Sequence, residues 1–199
     1  MRLEWGIAAR PLRGQLVCGD AAIVCPFYGG AVVAAIDGLG HGASAAEAAN
    51  LALRVVEARP DLAVDEQLRR CHDCLKGTRG AVMSLARFDD ARATVTWTGV
   101  GNVEGALLRG DPGRVPKRHT LATPGGVVGC QLSGPRTSTL SLYPGDVLVF
   151  ATDGVRPRLH DAELLFDDPG LVATRALERW SHGSDDALVV VARWLGMGA

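Results

Sequence analysis

Residues 32–49 read VVAAIDGLGHGASAAEAA. An apolar run, Val32 to Ile36, leads into Asp37, then three closely spaced glycines, then an alanine-rich segment. An apolar run ending in Asp-Gly predicts a buried strand entering a turn, and the small residues beyond it predict a helix. Two chemistries compete for that turn. Gly38-x-Gly40-x-x-Ala43 fits the permissive dinucleotide fingerprint of a nucleotide-binding oxidoreductase, with Glu57 about where a ribose-binding acid belongs. The alternative makes Asp37 a metal-binding carboxylate, with Gly38 letting the backbone turn sharply and bring its own carbonyl close to the ion.

The surrounding chain favours the second chemistry. LEWGIAA (3–9), AAIVCPF (21–27) and AVVAAI (31–36) are short apolar runs punctuated by Gly, Pro and Asp, so three strands precede the first helix. Ser44 to Ala58 is a helical pattern closed by Arg59-Pro60, and Asp65 to Lys76 is a second, more polar helix with acids early and bases late. From 78 to 152 the sequence is rich in Val, Thr, Leu and aromatics, with turn residues between the runs and no helical stretch. A helix over about Pro169 to Trp180 and a closing strand, ALVVVARWL, complete the order. A parallel dinucleotide sheet needs helices between its strands, and the 78–152 region offers none. Two strands also precede the fingerprint, and Asp37 would repel a pyrophosphate. The expectation is a single α+β domain spanning 1–199, with largely antiparallel sheet packed between helices.

Composition removes other partners. With 21 basic against 22 acidic residues and a net charge of −1, no overall field would hold a nucleic acid or an anionic membrane. The N-terminus lacks a signal-peptide stretch and no window reaches the roughly 18 apolar residues of a membrane span, so a cytoplasmic protein is expected. Five cysteines, an odd number, are expected to be free thiols. Cys71-His72-Asp73-Cys74 is half a zinc motif inside a helical pattern and reads as ordinary helix cysteines.

Other acids repeat the setting of Asp37. Asp153-Gly154 ends the run VLVFAT, Asp20 follows Gly19 at the start of a strand, and Asp185-Asp186 precede ALVVVA. Each alone is ordinary turn chemistry. Gathered at one sheet edge within about 4 Å, they would repel by several kcal/mol per pair at an effective dielectric near 20, so they must be protonated or hold cations. An all-oxygen ligand set favours Mg²⁺ or Mn²⁺ over zinc.

Taken in order, IDGLGHG (36–42), GVGNVEG (99–105), YPGDVLVFATDGV (143–155) and DDALVVV (185–191) resemble the metal-dependent serine/threonine protein phosphatases of the PPM superfamily. The resemblance is strongest to the compact SpoIIE-like bacterial branch and its RsbX-type stress-response members, and it runs from Asp20 to the last strand. It implies a four-layer αββα sandwich of two antiparallel sheets flanked by helices, and two divalent cations, Mn²⁺ or Mg²⁺. It implies metal ligands Asp20, Asp37, Gly38 through its carbonyl, Asp153, and one of Asp185 and Asp186, with Asp186 favoured. Asp37 and Asp153 would serve catalysis through a metal-activated water, His41 would be a candidate general acid, and Asn102 would lie beside the cleft. Arg10 and Arg13 are the candidates for an N-terminal phosphate-holding arginine. The stretch 156–168 is short for a substrate-contacting flap and begins Arg156-Pro157-Arg158, where many relatives carry an acid. Expected substrates are phosphorylated STAS-domain (RsbS/RsbR-like) proteins of a bacterial stress-signalling complex, the stressosome, with the enzyme a monomer that gives negative feedback. A pseudophosphatase binding module, which would be expected to lack one of the acids, is the other outcome.

Overall fold

The computed structural model describes residues 3–196 apart from 112, 121, 133, 135 and 156–166. The order is β1 (Leu3–Arg10), β2 (Asp20–Phe27), β3 (Gly30–Gly38), α1 (Ala43–Ala58), α2 (Val64–Leu75), β4 (Ala81–Asp89), β5 (Thr94–Val100), β6 (Glu104–Leu108), β7 (Arg118–Thr120), β8 (Ser138–Ser141), β9 (Val147–Ala151), α3 (Pro169–Trp180) and β10 (Ala187–Trp194). One sheet runs β1-β10-β9-β6-β7 and the other β2-β3-β4-β5-β8. Every pairing is antiparallel. That arrangement overturns the dinucleotide alternative. β3 lies antiparallel between β2 and β4, so Gly38-x-Gly40-x-x-Ala43 opens a helical hairpin rather than a crossover to a parallel strand.

Side-chain alternation assigns the layers. On β3, Val33 and Ala35 face the opposing sheet, while Val32, Ala34 and Ile36 pack under α1 and α2. On β9 and β10, Leu148, Phe150, Leu188 and Val190 fill the space between the sheets, and Val147, Val149, Val189 and Val191 pack under α3. Strands covered on both faces read as continuous apolar runs, which is why VVAAI and ALVVVA show no polar alternation. α1 presents Ala45, Ala48, Ala49 and Ala52 to the sheet, small residues that let helix and sheet approach closely. α3 starts at Pro169 because Asp168 caps it, its carboxylate accepting from the amides of Gly170 (2.9 Å) and Leu171 (3.1 Å). Cys71 is buried in α2 and Cys74 is exposed, and all five cysteines are free. Among the described residues no helix is long and apolar enough to cross a membrane.

This topology gathers distant positions. The pairings Asp20 with Asp37, Asp37 with Val82, Met83 with Val100 and Ala151 with Val189 bring the start of β2, the end of β3, the start of β4 and the end of β5 to one end of the sandwich. The end of β9 and the start of β10 meet them there from the other sheet.

Candidate metal centre

Asp20 and Asp37 are direct partners across β2 and β3, and the Gly38 amide donates to the Gly19 carbonyl at 3.2 Å. Partners in an antiparallel pair share a face, and the parity of Val33 and Ala35 puts both acids on the face between the sheets. Thr152 continues the inward parity of Leu148 and Phe150 from the opposite sheet. Its Oγ1 donates to Asp20 Oδ2 at 2.7 Å and accepts from the Leu188 amide at 2.9 Å, tying the two sheets together under the acids. Asp153 follows immediately. Asn102 Nδ2 donates to Asp153 Oδ2 at 2.6 Å, and His182 Nε2 lies 2.7 Å from the Asp153 carbonyl. A carbonyl only accepts, so Nε2 carries the hydrogen and Nδ1 is left to accept from Ser184 Oγ at 2.7 Å.

Asp37, Asp153 and Asp185 line one cleft of about 430 Å³ together with Gly40, Val82 and Asn102. Asp186 lies beneath it, 2% exposed, with Oδ1 accepting from the Leu12 amide at 2.8 Å and Oδ2 without a partner. The acidic pair is therefore divided: Asp185 stands on the wall, while Asp186 is buried, like Asp20. Gly38 and Gly154 are required by close approach. A Cβ on Gly38 would meet the Ala45 carbonyl oxygen at 2.1 Å, and one on Gly154 would meet that of Asp186 at 1.9 Å. His41 is exposed on the turn into α1 and is not among the residues lining the cleft.

Burial is the main force on these carboxyls, and their mutual repulsion adds to it. Asp37 is pushed up to about 8 by burial, then by Asp20, Asp153, Asp185 and Asp186. Asp20 is pushed up to about 7 by burial and by Asp186, Asp153 and Asp185, against the Thr152 hydrogen bond, which pulls it down. Asp153 is also raised, first by burial and then by Asp185. Left bare, Asp20 and Asp37 hold protons more tightly than ordinary carboxyls near neutral pH; positive charge in the cleft would favour their ionised forms. Among the described residues no three Asp, Glu, His or Cys side chains close around one point as they stand. The donor chemistry nevertheless fits a hard divalent cation. The donors are carboxylate oxygens from both sheets, Asp37 from one and Asp153 and Asp185 from the other, open to the cleft with the buried Asp20 and Asp186 behind them.

Four features of this end were not foreseen from the sequence: the cleft-wall position of Asp185, the Thr152 tie, the His182 clamp and the position of Arg79 described below. Strand parity carries the signal for Thr152, since it follows Leu148 and Phe150 at the same spacing. Arg10 and Arg13 line a neighbouring cleft of about 410 Å³ that meets the first at Asp185, and Arg10 Nη1 donates to Ser181 Oγ at 3.2 Å. Arg156-Pro157-Arg158 and most of the 156–168 stretch lie outside the described residues.

The family profile for stage II sporulation protein E (SpoIIE) matches residues 28–195. Phosphoserine phosphatase RsbX of Bacillus subtilis (strain 168) is 26% identical over 152 residues, 71% of this chain and 69% of RsbX. A protein solved in work on the bacterial stressosome, as a modular system adapted to control secondary messenger signalling, superposes with a TM-score of 0.90 at 29% identity. That match covers 97% of this chain and all (100%) of the other. A crystal structure of RsbX in complex with magnesium gives a TM-score of 0.84 at 20% identity, covering 96% and 94% of the two chains, and establishes the shared fold.

Proposed function

The chain belongs to the SpoIIE family, and on that premise we propose that it is a divalent-metal-dependent phosphatase acting on phosphoserine or phosphothreonine in a protein. The observation that carries this is the convergence of carboxylates from both sheets on one open cleft, where burial and repulsion leave them short of positive charge. Of the expected ligands, Asp37, Asp153 and the Gly38 carbonyl would hold the ions, two of Mn²⁺ or Mg²⁺; Asp185 would take the place expected of Asp186, because it lines the cleft, and Asp20 and Asp186, buried behind it, would support them from below. Bound there, such ions would supply an acidified water and neutralise charge on the phosphoryl oxygens. Around them, Asn102 and His182 hold the Asp153 turn by its side chain and its carbonyl, and Thr152 orients Asp20. His41, exposed on the turn after Asp37, is the candidate proton donor to the leaving serine oxygen. Cysteine-based phosphate transfer is disfavoured at this cleft, because among the described residues no cysteine lines it.

The substrates would be phosphorylated STAS-domain proteins of the RsbS and RsbR kind, in the cytoplasm, with the enzyme a single-domain monomer providing negative feedback on a stress signal. Likeness to RsbX and to a protein solved in stressosome work supports that context. The test is phosphate release from a phosphoserine peptide and from a phosphorylated STAS-domain protein, with Mn²⁺ or Mg²⁺ and with excess chelator. Release that needs the ion and is lost in Asp37→Asn supports the proposal, and full release in chelator overturns it. Metal binding with no turnover on either substrate would make the chain a binding module.

A further inference from the structure

The cleft presents negative charge to an anionic substrate. Asp37, Asp153 and Asp185 line it, and among the described residues no Arg or Lys does. A phosphate ester entering there needs donors of its own as well as ions for the carboxylates. Among the described residues, the Arg79 guanidinium stands at the rim of the cleft, beside Gly40.

Arg79 sits in the link between α2 and β4, and that link is held rigidly. Thr78 Oγ1 donates to the Leu75 carbonyl at 2.7 Å, and the Gly80 amide donates to Thr78 Oγ1 at 3.0 Å. The Gly80 carbonyl accepts from the Leu39 amide at 3.1 Å, which fastens the link to the turn that follows Asp37. The side chain reaches over that turn: Nη1 lies so close to Gly40 that a Cβ there would meet it at 2.8 Å. Gly40 lines the cleft, and its φ of +87° favours glycine. Arg59, Arg69, Arg87, Arg92 and Arg109 all spend their guanidinium groups on carboxylates. Arg79 is exposed and, among the described residues, its guanidinium makes no ion pair or hydrogen bond. A pinned backbone that carries a free planar fork of donors to the edge of an acidic cleft suits recognition of phosphate oxygens. We propose that Arg79 grips the substrate phosphoryl group at the mouth of the cleft. This rests on the phosphatase function proposed above. Arg10 and Arg13 belong to the neighbouring cleft, on the Asp185 side.

The experiment compares the full chain with its Arg79→Ala, Arg79→Lys and Arg70→Ala variants at saturating Mn²⁺. The substrates are p-nitrophenyl phosphate and a phosphoserine peptide, with inorganic phosphate as competitive inhibitor. Removing a charged donor should raise KM on both substrates, and the phosphate inhibition constant, roughly tenfold or more, with a smaller change in kcat. Arg79→Lys should recover part of the loss, and Arg70→Ala, which removes the same charge from an exposed position on α2, should match the parent. Unchanged constants in Arg79→Ala overturn the proposal. So does a loss confined to the peptide, which would mean that Arg79 contacts polypeptide. If the parent chain releases no phosphate, the phosphatase assignment fails separately. Arg79 is then tested by calorimetric binding of inorganic phosphate to the Mn²⁺-loaded chain: weaker binding in Arg79→Ala supports the grip, and equal or absent binding in both overturns it.

Discussion

Replacing Thr152 by valine keeps the shape of the side chain and removes one hydroxyl. That hydroxyl donates to Asp20 Oδ2 at 2.7 Å and accepts from the Leu188 amide at 2.9 Å, both at buried positions. A hydrogen bond to a buried charged group contributes about 1.5–3 kcal/mol, and the Thr152 bond favours the ionised form of Asp20. Its loss should lift the Asp20 carboxyl by roughly one to two pH units, at about 1.4 kcal/mol per unit, from a starting point of about 7. Two consequences can be measured. The stability deficit of Thr152→Val without metal should already stand at about 1–3 kcal/mol at pH 5, where Asp20 is protonated in both proteins and the buried Leu188 amide has lost its acceptor, and should grow as pH rises through 7 to 8.5. Affinity for Mn²⁺ at pH 7, measured by titration calorimetry, should fall roughly tenfold, because a proton must now be displaced from a weaker acid. A deficit equal at pH 5 and 8.5, together with unchanged Mn²⁺ affinity, would refute the role assigned to this tie.

The raised carboxyls also set the pH response of the parent protein. Asp20 and Asp37 bind protons more tightly folded than unfolded, so the stability they contribute is full below about pH 4 and is lost as pH rises through about 7 to 8. Chemical denaturation of the metal-free chain should show that decline, and saturating Mn²⁺ should remove it. Asp37→Asn should abolish metal-dependent phosphate release yet leave the metal-free chain at pH 8 at least as stable as the parent, read by thermal melting, because it deletes a buried repulsive charge. Asp185→Asn should weaken Mn²⁺ binding more than Asp186→Asn, since Asp185 lines the cleft while an asparagine at 186 can still accept from the Leu12 amide. Calorimetric titration of the two variants distinguishes them.

Much of this centre is legible in the chain because its acids terminate apolar strands. Asp37 and Asp153, each followed by glycine, mark points where a buried strand must turn, and Pro60 and Asp168-Pro169 punctuate the helices in readable ways. Antiparallel pairing then brings Asp20 opposite Asp37. The division of labour between Asp185 and Asp186 is less accessible. Asp186 keeps the parity of Leu188 and Val190 and is drawn between the sheets, while Asp185, one residue further from the strand, is free to stand on the cleft wall. Arg79 and His182 reach the site through contacts between loops, Gly80 to Leu39 and His182 to Asp153, that no strand or helix period encodes.

Anomalous diffraction from crystals of the protein grown with Mn²⁺ tests the central claim most directly. Peaks in the cleft within ligand distance, about 2.0–2.3 Å, of carboxylate oxygens of Asp37, Asp153 and Asp185 are the predicted result. A cleft without a peak at saturating Mn²⁺, in crystals where these carboxylates are ordered, would contradict it.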